Sequence, residues 1–248
     1  MDRLTMSIQT LAVSESTYAE LYESAPWAIV LQSLYDLIPI ALFLVGSVIL
    51  LRCLYNKMVK GNYALFAAGS IMVFAAGFLK ALHKFIIGVS GYAYNILDRQ
   101  FTSTQSIGFA LMFVALIGMF TSYNKKYTKI SVCAIVPLIA VTAFTEAPAL
   151  KEFTNTLPFI ILMIIGAAGT LAMLMIISIK RKDILSAVLF GLAIIFMVGM
   201  GYLSTKSSWT YNWIAISVNI VYQALYMIAC IRLQKKGLGA EDSLQKAN

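Results

Sequence analysis

Residues 156–179 read TLPFIILMIIGAAGTLAMLMIISI, an uncharged run of 24 residues that ends abruptly in Lys180-Arg181-Lys182. Crossing about 30 Å of hydrocarbon at 1.5 Å per residue takes about 20 apolar residues, so this stretch suffices for a membrane span. Working outward, the same texture recurs. A first span runs from Trp27 or Leu34 to Leu51, where Arg52 stops it; a second covers Asn62 to Gly88, a third Ser103 to Ser122 and a fourth, the shortest, Ile130 to Thr145. Beyond the quoted fifth span come a sixth, Ile184 to Leu203, and a seventh, Trp209 to Ile231.

Composition agrees. The 248 residues are 60% hydrophobic and 12% charged, about half the charged share of a soluble domain. The fold class expected is therefore an all-α membrane protein, a bundle of seven transmembrane helices spanning residues 27–232. Residues 1–26 form a polar N-terminal segment with no basic, apolar and small-residue signal-peptide sequence; the stretch from Ser14 to Ser24 reads equally as a short surface helix or a frayed tail. Residues 233–248 are a polar tail, too small to fold alone. No internal repeat stands out, and a three-plus-one-plus-three arrangement is left open.

Charge sets the orientation. Of 19 basic residues, 13 fall on one side: Arg52, Lys57, Lys60, Lys125, Lys126, Lys129, Lys180, Arg181, Lys182, Arg232, Lys235, Lys236 and Lys246. The positive-inside rule makes that side cytoplasmic, with the N-terminus outside and the C-terminus inside, as an odd number of spans requires. The net charge of +8 reports orientation rather than a nucleic-acid partner. The expected setting is a cell membrane, a bacterial inner membrane or its equivalent, with the lipid bilayer as the first partner. Three cysteines without CxxC spacing and a lone histidine give no basis for a metal site, a haem or another cofactor.

Chemistry must then come from polar residues inside the spans, each a candidate because burying it in lipid is costly. Lys80, His83 and Lys84 sit at i, i+3 and i+4 near the outer end of the second span, which places three nitrogen-bearing side chains on one face with Lys80 deepest. The functional reading is an outward anion- or carboxylate-binding patch; the bland one has His83 and Lys84 snorkelling to headgroups while Lys80 pairs with an acid. Asp36, Asp98 and Glu146 lie at a similar depth as ion-pair or proton-relay candidates, with Asp36–Lys80 or Glu146–Lys80 the pairs expected. On the last span Asn219 and Gln223 continue a polar stripe from Trp209 and Asn212, either lining a cavity or bonding neighbouring helices. Arg99 and Gln105 complete the outer layer.

Seven spans with an outer N-terminus resemble the microbial rhodopsins, whose last helix carries an acid four residues before the retinal-binding lysine. At that spacing this chain has Asn219 and Gln223, and its last span has no lysine, so no retinal Schiff base can form there. The progestin-receptor-like and alkaline ceramidase membrane hydrolases resemble the same architecture but need several histidines for zinc.

The function expected is thus a small-solute transporter or receptor-like binder with an outward pocket for an anionic or zwitterionic molecule, formed by Lys80, His83, Lys84, Arg99, Gln105, Asn219 and Gln223. Transport ranks ahead of sensing because the inner face offers only basic loops and a short tail to pass on a signal. An intramembrane enzyme acting on a lipid or isoprenoid would use Glu146, Asp36 or Asp98 with His83, yet no nucleophile or metal constellation accompanies them. An accessory subunit with a membrane partner, or a homo-oligomer, completes the alternatives.

Overall fold

The structure, a computed structural model, describes residues 21–55, 57–92, 95–121, 157–204 and 208–236. The expected fourth span, Ile130 to Thr145, lies outside the described residues, as do Glu146 and Cys133. Six long helices are described: α1 Pro26–Leu54, α2 Lys60–Ser90, α3 Asn95–Thr121, α4 Leu157–Lys180, α5 Ile184–Ser204 and α6 Trp209–Lys235. The shortest has 21 residues and so rises about 32 Å, and each contains an apolar stretch long enough to span a membrane. The chain is an all-α, multi-pass membrane bundle in contact with lipid. Several helices overrun the expected spans, because in a helix that leaves the bilayer the polar end residues keep their backbone bonds. The largest difference is in α3, which starts at Asn95 rather than Ser103, so Asp98 and Arg99 lie within its first turns.

Each helix packs against the next, and α6 returns to α1, closing a ring. Small residues set the closest seams. On α2 and α3 a Cβ added at Gly69 would lie 2.5 Å from the Gly108 carbonyl oxygen, and one at Gly88 would lie 2.9 Å from the Val30 nitrogen on α1. In lipid, where apolar side chains gain nothing by leaving solvent, such backbone approach is a main source of attraction between helices.

The contacts also give the direction of each seam. Ile40 faces Gly77 and Val30 faces Gly88, so α1 and α2 are antiparallel. Asn62 faces Gly118 and Val73 faces Gly108, so α2 and α3 are too. Between α5 and α6, Asp183 meets Arg232 and Phe190 meets Tyr226, again antiparallel. Two seams differ. Gly166 lies against Phe109 and Ala110 and Gly169 against Phe113, so α3 and α4 run parallel. Likewise Tyr35 meets Trp213 and Ser217 while Gly46 and Ser47 meet Tyr226, so α1 and α6 run parallel. One end of the ring therefore gathers Arg52, Lys57, Lys60, Lys180, Arg181, Lys182, Arg232 and Lys235. Thr121 closes α3 at that end, and Leu157 opens α4 at the other.

In α1–α2–α3 and α4–α5–α6 the helices follow the same order of directions, and each parallel seam joins the first helix of one triplet to the third of the other. At both seams a glycine followed by a hydroxyl residue receives an aromatic ring: a Cβ at Gly46, before Ser47, would lie 2.7 Å from Tyr226 Cε1, and one at Gly169, before Thr170, would lie 2.6 Å from Phe113 Cε2. Phe66 on α2 and Phe190 on α5, each following a leucine, are both fully buried.

Candidate functional site

Gln32, Asp36, Pro39 and Phe43 recur along α1 at the spacing of one helical face. Phe43 anchors that face to the interior: its ring stacks on Tyr226 of α6 at 5.8 Å and meets Phe109 of α3 edge-on at 6.2 Å, while Tyr226 meets Phe190 of α5 at 6.4 Å. Four helices thus contribute rings to one layer across the bundle, and the Tyr226 hydroxyl shares a 3.3 Å hydrogen bond with Ser47. Sequence reasoning ends its polar stripe on the last helix at Gln223; the aromatic layer lies one turn beyond it. It is invisible in the sequence because its members come from four separate segments.

Above this layer α1 and α2 enclose a polar nest. The Lys84 ammonium donates to Asp36 Oδ2 at 2.5 Å, with the two side chains only 8% and 15% exposed. A turn nearer the N-terminus of α1, Gln32 is fully buried, and neither amide atom has a hydrogen-bond partner among the described residues. Ser33 donates its hydroxyl to the Ala81 carbonyl at 2.8 Å and fixes the register of the two helices. Pro39 has no N–H to offer the Tyr35 carbonyl, so α1 lacks one ladder bond beside Asp36. His83 is buried next to Lys84.

The basic cluster is therefore divided otherwise than expected. Lys84 and His83, which one reading sent to the headgroups, are the buried members. Lys80 is partly exposed, with its ammonium 4.1 Å from the centre of the Phe101 ring on α3, a cation–π contact. The partner seen for Asp36 is Lys84, one turn beyond the Lys80 that spacing suggested. Gln32 carried no signal of its own: a glutamine near a helix end usually reads as interfacial.

The remaining candidates are more scattered. Gln223 is buried, and its Oε1 has no hydrogen-bond partner among the described residues. Asn219 and Gln105 are half-buried. Asp98 and Arg99 have helical backbone, and their side chains lie outside the described residues. Ser103 and Ser106 are buried on α3, where the Ser106 hydroxyl donates to the Ser103 carbonyl at 2.7 Å. On the flank of the bundle, Phe196, Trp213, Ile214, Ser217, Val218 and Val221 line a groove of about 300 Å³ between α5 and α6, apolar except for Ser217.

At the basic end a second polar group closes the seam between α5 and α6. Asp183 caps α5, accepting from the Ser186 hydroxyl at 2.5 Å and the Ser186 amide at 3.4 Å, while Arg232 donates to it from α6 at 3.4 Å. Burial raises the Asp183 pKa, but the Ser186 bonds and the Arg232 charge outweigh it and hold the carboxyl below its ordinary value. Among the described residues no three His, Cys, Asp or Glu side chains are placed to hold a metal ion. No protein-family model, curated protein or solved structure matches the chain.

Proposed function

We propose that the chain is a seven-span protein of the cell membrane, N-terminus outside and C-terminus in the cytoplasm, that binds and carries a small anionic or zwitterionic solute at the nest between α1 and α2. Parallel packing of α3 and α4 supports the count, because Thr121 and Leu157 lie at opposite ends of the bundle. The orientation follows from the basic end, cytoplasmic by the positive-inside rule. That leaves the nest in the outer half, reached from outside.

Gln32 carries the functional reading. Leaving a buried hydrogen-bonding group unmatched costs about 1–3 kcal/mol, and this amide leaves a donor and an acceptor unmatched beside a buried ion pair. A purely structural contact would be better served by leucine. In the proposed site Lys84, Asp36 and Gln32 bind the solute, with His83 beside Lys84 and Arg99 in the first turns of α3, while Lys80, Gln105, Asn219 and Gln223 lie further in, towards the aromatic layer that blocks passage. The test is uptake of radiolabelled amino acids and carboxylates into proteoliposomes. Uptake that exceeds protein-free vesicles and falls at least tenfold in Gln32→Leu is expected; uptake equal in the two proteins would overturn this assignment.

A further inference from the structure

Resting on the solute-binding reading above, we infer that the solute is a zwitterion, taken up by exchange with the Asp36–Lys84 ion pair. Lys84 is already neutralised by Asp36 at 2.5 Å in a largely buried setting. A lone anion on Lys84 would leave two negative charges against one ammonium at this seam, where an uncompensated charge is strongly disfavoured. A zwitterion keeps the sum at zero. Its ammonium takes the place of Lys84 on the Asp36 carboxylate, and its carboxylate takes the place of Asp36 on Lys84.

Gln32 fits a ligand that carries both a donor and an acceptor. Its amide offers one acceptor and one donor group, both without partners among the described residues. The carbonyl can accept from the solute's ammonium and the NH₂ can donate to its carboxylate. An anion would use only the donor and a cation only the acceptor, leaving the other end still unmatched. The ladder bond missing at Pro39 lets α1 yield beside Asp36 when the pair parts.

The test uses the purified full chain in detergent and thermal unfolding with glycine, β-alanine, γ-aminobutyrate and glycine betaine, and with propionate and propylamine as singly charged controls. A ligand at 100 times its Kd raises Tm by about 5 °C or more. At least one zwitterion is expected to do so while the controls do not, and Asp36→Asn/Lys84→Met, which buries no lone charge, is expected to fold and lose the shift. Propionate stabilising as much as any zwitterion would overturn the zwitterion assignment and leave the solute-binding reading standing. A zwitterion shift retained in the double variant would move the site elsewhere and refute exchange. No shift with any probe in the parent would overturn the solute-binding reading itself.

Discussion

Asp36 and Lys84 depend on each other in a way that single substitutions should expose. Removing one member of a buried pair strands the other charge and costs about 3–5 kcal/mol, whereas replacing both with neutral residues is often close to neutral. Asp36→Asn and Lys84→Met are each expected to lower Tm sharply, and the double variant to recover most of the loss; equal losses in all three would mean that the two charges are not coupled. Gln32→Leu is expected to raise Tm, because it removes an unmatched amide from a fully buried position. At this scale the sequence is half legible. Spacing of i, i+3 and i+4 on α2 marks Lys80, His83 and Lys84, and midspan depth marks Gln223. Which cation turns inward depends on how α2 is rotated against α1, fixed by Gly88, Gly77 and the Ser33–Ala81 bond, none of which announces itself in one dimension.

Individual helices are legible almost completely, since length, apolarity and terminal charge decide them; what the sequence withholds is how closely two helices approach. Gly69→Ala would push a methyl group to 2.5 Å from a carbonyl oxygen, and Gly166→Ala to 2.7 Å from the Ala110 nitrogen, where no side chain can swing away. Each is expected to destabilise by about 1–3 kcal/mol. Gly199 is the control: nothing lies within 4 Å of an added Cβ, so Gly199→Ala is expected to gain about 0.5–1 kcal/mol of helix stability. Tm values of the three variants check this ordering.

The cap of α5 makes a pH-dependent prediction. Because the folded protein lowers the Asp183 pKa, its contribution is full above the ordinary carboxylate value and is lost as pH falls through the lowered one. The Tm deficit of Asp183→Asn should therefore be largest near neutrality and shrink below about pH 4. A deficit that persists unchanged in acid would show that the carboxylate's charge contributes nothing.

For the whole molecule, the organising feature is a ring of two similar triplets joined through parallel seams. Parallel neighbours remote in sequence cannot be read from hydropathy, and the positions with like contacts in the two triplets are few: Gly46-Ser47 with Gly169-Thr170, Leu65-Phe66 with Leu189-Phe190, and Phe113 with Tyr226. Since Gly46 and Gly169 hold equivalent rings across the two seams, bulkier residues there should act alike. Gly46→Val and Gly169→Val are expected to lower Tm and slow uptake together; a variant pair affecting only one triplet's behaviour would argue against equivalent seams.

The proposed outward opening of the nest can be tested directly. With Cys53, Cys133 and Cys230 replaced by serine and Gln32→Cys introduced, right-side-out and inverted membrane vesicles are treated with a membrane-impermeant thiol reagent. Labelling from the outer face is the expected result. Labelling from the cytoplasmic face alone, or from neither face, would contradict an outward-opening site at Asp36 and Lys84.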